Sequence, residues 1–148
     1  MKQMILVCLF TLLGISLLAQ SSIYDIGFGL SREEVSKLMT SQGFTQSGTA
    51  SSEKITYTNE DEKYLDKIVI FFSDDKIDEW YMEYNIGDDL AWADDFVNKL
   101  VDFHDSTVLY DDLIEEHVID LENDRAIYLY LTDDDTVLVV DYCDSYWF

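Results

Sequence analysis

The sequence contains no proline, two cysteines and six glycines in 148 residues. No hinge or linker is therefore marked by proline. Positive charge is also scarce, with nine lysines and arginines against 31 aspartates and glutamates, a formal net charge of -22. Because phosphate contacts require a basic surface, this balance excludes a direct nucleic-acid binder and argues against docking on anionic lipid. Hydrophobic residues at 48% and aromatics at 14% indicate one folded domain rather than a disordered chain.

A long apolar run occurs at the start of the chain. Lys2 precedes the apolar residues 4–18, and Ala19 offers a small residue after them. This pattern is typical of a secretory signal peptide cleaved after Ala19. The run has about 15 residues, fewer than the roughly 20 that span a bilayer, so we expect no membrane insertion after cleavage. The expected organisation is a signal peptide at 1–19 and a single acidic α+β domain at 20–148, secreted or periplasmic.

The cysteines exclude an intrachain disulfide in that domain. Cys8 lies within the signal peptide, and Val7 stands before it where a lipoprotein signal has a small residue. Cys143 then remains alone. A single cysteine in a strand is typically a buried small hydrophobe, which we expect here. The alternatives are a reactive thiol and an intermolecular disulfide.

A capping box predicts the first helix. Ser31 and Glu34 have the Ser-x-x-Glu spacing in which each side chain bonds the other residue's amide. Gly43 is suited to end the helix. The predicted apolar stripe is Val35, Leu38 and Met39.

A second helix is predicted to open at residues 87–89 and to extend to about His104. Asp88 and Asp89 lie at the positive end of its dipole, where carboxylates are favourable. Its predicted apolar face is Leu90, Ala93, Val97, Leu100, Val101 and His104, widened by Trp92, Phe96 and Phe103.

Alternating apolar and polar residues predict strands at 54–58, 67–72, 77–84, 116–121, 126–131 and 136–143. The acidic segments 73–76, 122–125 and 133–135 read as turns, and residues 45–52, rich in Ser, Thr and Gly, as a loop. The fold class is therefore α+β, an antiparallel sheet with two helices packed on one face.

Two pairs of segments are similar within the chain. Residues 33–39 align with 95–101, and residues 71–75 align with 130–134, at separations of 62 and 59. A duplicated α-β-β-β unit explains these similarities. Two ordinary amphipathic helices and two acidic turns explain them equally well.

The segment Phe28-Gly29-Leu30-Ser31-Arg32-Glu33-Glu34-Val35 resembles the Gly-hydrophobic-Ser-x-x-Glu-Val opening of a group of small exported α+β domains. The group includes outer-membrane assembly lipoproteins and β-lactamase-inhibitor-like proteins. The resemblance implies short helices on an antiparallel sheet, sometimes duplicated, and a non-enzymatic protein-binding role. The sequence departs from the group in lacking the lipobox and the paired cysteines, and no binding residue carries over.

Catalytic motifs are missing from the sequence. It has no Gly-x-Ser-x-Gly, no phosphate-binding glycine loop and no His-Glu-x-x-His. Adjacent carboxylates are expected by chance among 31 acids. A carboxylate-dependent hydrolase is therefore the least favoured function, and no cofactor is expected.

Cation binding is the main alternative function. The acidic segments 122–124 and 133–135 supply oxygens of the kind calcium prefers, but the Asp-x-Asp-x-Asp-Gly loop is missing. Weak cation binding follows from the charge, whereas no specific metal site is predicted. His104 and His117, with Asp102 or Asp105 nearby, fit no closed zinc site and are expected to be ordinary helix and strand residues.

The candidate binding surface is the sheet face opposite the helices, called here the second face. Period-two alternation assigns to it Val69, Phe71 and Tyr81 with Glu79 and Glu83, joined by Tyr128 and Tyr130. Aromatic residues are enriched at interfaces, so we expect an exported, non-enzymatic protein-interaction module whose partner is an envelope or extracellular protein. A divalent-cation or small-ligand binder is the alternative. It is also open that loops or residues 146–148 cover this face as a second small core.

Overall fold

The computed structural model describes residues 22–111, 116–132 and 136–144. The described residues form two helices, α1 (Arg32–Ser41) and α2 (Leu90–His104). They also form eight strands, which are β1 (Thr45–Ser47), β2 (Lys54–Thr58), β3 (Leu65–Ser73), β4 (Lys76–Asn85), β5 (Val108–Asp111), β6 (Glu116–Leu121), β7 (Arg125–Leu131) and β8 (Val137–Asp144).

All eight strands belong to one sheet, in the order β1-β2-β3-β4-β8-β7-β6-β5. Every neighbouring pair is antiparallel. The chain therefore builds one four-strand meander after α1 and another after α2, and the last strands of the two meanders pair with each other. The predicted α+β class with an antiparallel sheet is confirmed.

The capping box of α1 is formed as predicted. The Ser31 backbone N–H donates to Glu34 Oε2 at 2.7 Å, and the Glu34 N–H donates to Ser31 Oγ at 3.4 Å. Val35 and Met39 are buried, four residues apart. Gly43 follows the helix with a φ of 85°, a left-handed conformation that glycine adopts without steric cost.

Helix α2 begins after Asp89, whose side chain accepts the Trp92 N–H at 3.1 Å. Its buried residues are Ala93, Phe96 and Leu100. The predicted face was too wide, because Leu90 and Phe103 are 53% and 47% exposed. These two residues lie near the ends of the helix, beyond the part that packs on the sheet. The apolar pattern of the sequence does not show where that packing ends.

The longer predicted strands and the turn at 73–76 are confirmed. Asp74 and Asp75 both have positive φ, as do Asn123 and Asp124 in the connection between β6 and β7. Two consecutive left-handed residues match the twist of antiparallel strands, and aspartate and asparagine tolerate that conformation.

Two short strands were missed. Residues 45–47 lie in the segment predicted as a loop, yet they pair with β2 as the edge strand β1, with Gln46 opposite Tyr57. Strand β5 forms the other edge. β1 has three polar, exposed residues and therefore no alternation to reveal it, and its pairing depends on the neighbouring strand rather than on its own sequence.

One large buried cluster contains residues of both helices and of the sheet. Within it Trp80 stacks on Tyr142, with ring centroids 4.6 Å apart. Phe28 packs on the same tryptophan at 4.5 Å. Trp80 and Tyr142 are opposite one another across β4 and β8, so the cluster joins the two meanders. Apolar burial of this kind dominates the free energy of folding.

Several predictions concern residues outside the described ranges. These are the signal peptide at 1–19, the turn at 133–135 and the aromatic residues 146–148. Within the described residues, neither helix is long and apolar enough to cross a membrane.

Candidate binding face of the sheet

The strand register places all five candidate residues on one side of the sheet. Val69 is opposite Tyr81 in the β3–β4 pair, and Tyr81 is opposite Asp141 in the β4–β8 pair. Asp141 is in turn opposite Tyr128 on β7. Directly opposed residues point to the same side of a sheet, so one row of side chains crosses four strands.

The remaining two candidates lie on the rows beside this one. Phe71 is opposite Glu79, and Tyr130 is opposite Val139, which is itself opposite Glu83. The assignment of Tyr128 and Tyr130 to the face of Tyr81, which alternation alone could not establish, therefore agrees with the register.

Burial differs between the two halves of the face. Phe71 and Tyr81 are partly exposed, and Tyr130 is 37% exposed. Val69 is 2% exposed and Tyr128 is 6% exposed. On the second face, Tyr128 belongs to a separate small buried cluster with Val118, Ala126 and Cys143.

The small cluster buries Tyr128, whereas Phe71 and Tyr81 stay partly exposed. Covering of this face by residues 146–148 lies outside the described residues. The half of the face formed by β3 and β4 presents aromatic side chains to the exterior. The half formed by β7 and β8 buries most of its apolar side chains on this side.

The exposed aromatic pair is Phe71 and Tyr81, with ring centroids 6.1 Å apart and planes inclined by 39°. The ammonium of Lys54 lies 5.9 Å from the Phe71 ring centroid. Aromatic pairs at this separation attract each other beyond their burial, and a cation over the ring face adds to this. The arrangement forms a small aromatic surface with a polar border.

Carboxylates border the pair, and the surroundings of Glu79 shift its pKa. Partial burial raises the pKa of Glu79, and the neighbouring Asp78 raises it further. Burial likewise raises the pKa of the Tyr81 phenol, with Glu83 adding to the effect. Glu83 itself forms an ion pair of 2.8 Å with Lys67, and that hydrogen bond raises the pKa of the lysine.

Cys143 is on the same side of β8 as Asp141. Burial, and then the charges of Asp141 and Glu79, raise the pKa of its thiol to about 12. A thiol with that pKa is protonated at neutral pH and is a weak nucleophile. The residue has the surroundings of a buried structural cysteine.

The two histidines lie on different elements. His104, the last residue of α2, has its Nε2 3.0 Å from the hydroxyl of the buried Tyr142. His117 lies on β6 opposite Leu129. Within the described residues, no three histidines, cysteines or carboxylates are grouped so that they could hold a metal ion.

Asp141 is the one central residue of the face that sequence reasoning missed. It interrupts the apolar strand β8 between Val140 and Tyr142, and a lone acid in such a run is a recognisable signal. Its importance comes from the pairing of β8 with β4, which joins strands far apart in the sequence.

Known proteins give no guide to this face. No protein-family model matches the chain, and no curated protein or solved structure matches it.

Proposed function

We propose that this protein is an exported, non-enzymatic interaction module that binds another protein through the β3–β4 half of its second face. One observation carries the proposal: Phe71 and Tyr81 form a partly exposed aromatic pair in the middle of an eight-strand sheet. Aromatic residues are enriched at interfaces, and tyrosine is among the residue types that most often supply their binding energy.

The border of carboxylates specifies the chemistry of the partner. Glu79, Glu83 and Asp141 surround Tyr81 on the adjoining positions of β4 and β8. The whole chain carries a formal net charge of -22. A complementary partner has an apolar contact for the aromatic pair and basic residues around it, because such charges steer association and set orientation.

We also propose that the domain is a duplicated unit whose two helices cover the same face of the sheet. Tyr24-Asp25-Ile26-Gly27 is repeated as Tyr84-Asn85-Ile86-Gly87, 60 positions later. Each copy precedes a helix and a four-strand meander. Two equivalent four-strand meanders that pair through their last strands produce the observed sheet order, β1-β2-β3-β4-β8-β7-β6-β5.

In each half, a backbone hydrogen bond joins the chain at or just after the repeated segment to the start of the last strand of that half, through residues that are not equivalent under the repeat. Gly29 donates its N–H to the carbonyl of Ile77 at 3.1 Å, at the start of the fourth strand of the first half. Ile86 donates to the carbonyl of Thr136 at 2.9 Å, beside the start of the last strand. Residues of both helices share one buried cluster, which supports their placement on one face.

Export is part of the proposal, and it rests on the sequence of residues 1–19. The partner is then a protein of the envelope or exterior. The lone, buried Cys143 is compatible with an oxidising compartment, since it leaves no second cysteine in residues 20–148 for an incorrect pairing.

Affinity capture with two matched variants tests the proposal. The chain from Gln20 onward is immobilised and exposed to envelope extract of its source, with and without chelator. A partner retained by the unaltered protein and lost by Tyr81→Ala supports the second face as the binding site.

The control variant is Phe103→Ala, which removes an exposed aromatic residue from α2. It is expected to retain the partner. A partner lost equally by both variants, or retained by both, contradicts the assignment of the site. A partner released by the chelator favours cation-dependent binding instead.

A further inference from the structure

The contacts of one arginine in the first half of the molecule point to a second binding site, on the other side of the sheet in the second half. In the first half, the guanidinium of Arg32, the first residue of α1, lies 4.2 Å from the ring centroid of Phe72. It donates to the carbonyls of Ser51 and Ser52 at 3.1 and 2.6 Å, and it lies 3.6 Å from a carboxylate oxygen of Asp75. Phe72 is only 7% exposed.

Under the proposed duplication, the two helices can be matched by their buried residues, with Val35 and Met39 of α1 equivalent to Phe96 and Leu100 of α2. This match differs by one residue from the sequence alignment of 33–39 with 95–101, and it places alanine where the first half has arginine. Arg32 precedes the buried Val35 by three residues, and Ala93 precedes the buried Phe96 of α2 by three. On the sheet, Phe72 and Leu131 each lie two residues beyond a buried residue of the large cluster, respectively Ile70 and Leu129.

A groove lies between α2 and strands β6 to β8, beside this alanine. Its volume is about 480 Å³, and Ala93, Asp94 and Val97 line its helix side. Leu129, Leu131 and Leu138 line its sheet side. Leu131 is 39% exposed, and Leu90 at the end of the groove is 53% exposed. The exposed carboxylate of Asp94 stands beside these apolar side chains.

We propose that this groove binds an arginine side chain presented by a basic segment of a partner protein. The methylene groups of the arginine would cover Leu131 while the guanidinium pairs with Asp94, whereas in the first half the guanidinium of Arg32 itself lies over the Phe72 ring. An apolar wall beside one carboxylate suits guanidinium better than ammonium, because guanidinium is planar and more weakly hydrated.

The chain's own composition argues for a different protein as the occupant. The sequence contains two arginines, and both are already held within the fold. Arg32 lies over Phe72, and Arg125 lies 4.0 Å from the ring centroid of Phe28 and pairs with Asp144 at 2.5 Å. A second copy of this chain therefore has no spare arginine to offer, and a net charge of -22 opposes its approach.

An NMR titration with defined peptides tests the proposal. The probe is acetyl-Leu-Arg-Leu-amide at low ionic strength, and its matched control replaces arginine with citrulline, which has the same shape without charge. The methyl signals of Ala93, Val97 and Leu131 are expected to shift with the arginine peptide. Its affinity should exceed that of the citrulline peptide about tenfold, and the difference should diminish at high salt.

Three variants locate the site. Ala93→Arg supplies the groove with an arginine from within and is expected to abolish peptide binding. Ala91→Arg makes the same change at an exposed position of the same helix and should leave binding intact. Asp94→Asn, at an exposed carboxylate, should fold normally and lower affinity for the arginine peptide alone, so the test does not depend on Ala93→Arg folding.

Equal binding of both peptides, or an Asp94→Asn variant with unchanged affinity, would overturn the proposal. Self-association that protects the same methyl groups would assign the groove to a second copy and also overturn it. Tyr81→Ala is expected to leave the titration unchanged, because Tyr81 lies on the opposite face. Failure of this site and failure of the second face as a binding site are therefore distinguishable.

Discussion

Tyr81 and Asp141 lie directly opposite one another where β4 pairs with β8, and they are 60 residues apart, the same separation as Tyr24 and Tyr84. Under the proposed duplication, these two residues occupy equivalent positions at the junction of the two units. Their chemistry differs completely, one being aromatic and the other acidic. The junction is thus symmetric in its backbone and asymmetric in its side chains, so a partner can distinguish one half of the second face from the other.

Adjacent residues of β4 are expected to respond very differently to truncation. Trp80 is fully buried and stacks on Tyr142, whereas Tyr81 is partly exposed. We expect Trp80→Ala to lower the free energy of unfolding by about 3–5 kcal/mol, since it removes a large core side chain. Tyr81→Ala should lower the free energy of unfolding by about 1 kcal/mol, equivalent to a few degrees in melting temperature.

Thermal and urea unfolding of both variants measures the difference. Similar large losses would mean that Tyr81 belongs to a core, and its proposed role as a binding anchor would then lose its basis.

The capping box of α1 predicts a pH-dependent effect. The hydrogen bonds from Ser31 lower the pKa of the Glu34 carboxyl in the folded state. A carboxyl with a lowered pKa stabilises the fold above its unfolded pKa, and that contribution is lost as the pH falls through the folded value. Ser31→Ala should therefore lower the free energy of unfolding at pH 7, and the difference from the unaltered protein should shrink below about pH 4.

Urea unfolding at a series of pH values checks this expectation. Glu33→Ala is the comparison variant, because Glu33 lies in the same helical turn outside the capping box, and its exposed ion pair with Lys37 contributes little to stability. A cost of Ser31→Ala that is constant from pH 7 to pH 3 would contradict the assigned role of the carboxylate.

Local signals in the sequence were sufficient for the elements that depend on local chemistry. The hydroxyl of Ser31 and the carboxylate of Glu34 specify a helix start by themselves, and the alternation in β4 separates Trp80 from Tyr81. The edge strand β1 could not be found this way, because Thr45–Ser47 is a strand only through its pairing with β2.

The candidate site was predictable only in part, for a related reason. Phe71 and Tyr81 belong to one hairpin, so their proximity follows from a short turn. The pairing of Tyr81 with Asp141, and through it with Tyr128, depends on β8 joining β4 from far along the chain. The groove beside Ala93 lies where a small side chain leaves part of the sheet uncovered. No local pattern in the sequence indicates such a gap.

A glycine in the β6–β7 connection is expected to stabilise the protein. Asn123 and Asp124 have φ values of 61° and 59°, and Asn-Gly is the preferred sequence for two such residues. Asp124→Gly should raise the free energy of unfolding by about 0.5 kcal/mol, because glycine adopts positive φ without a steric cost. Asn123→Ala should lower it, since alanine does not tolerate this conformation. Thermal unfolding of both variants checks the two signs, and an unchanged or lower stability of Asp124→Gly would refute the argument.

The thiol of Cys143 should resist modification until the protein unfolds. Its pKa of about 12 in the folded state arises mainly from burial, so almost no thiolate is present at pH 8. The chain from Gln20 onward has no other cysteine. We expect a disulfide reagent at pH 8 to label the native protein at least about a hundredfold more slowly than the protein in urea.

The same pKa difference makes stability depend on pH. In the unfolded chain the thiol ionises near pH 8.5, whereas in the folded protein it keeps its proton to about pH 12. The unfolded state therefore releases a proton first, and stability should fall as the pH rises above about 8.5. Cys143→Ala removes this contribution, so its unfolding free energy should decline less between pH 8 and pH 9.5 than that of the unaltered protein. Parallel declines in the two proteins, or rapid labelling of the native thiol, would show that Cys143 is accessible and ionises normally.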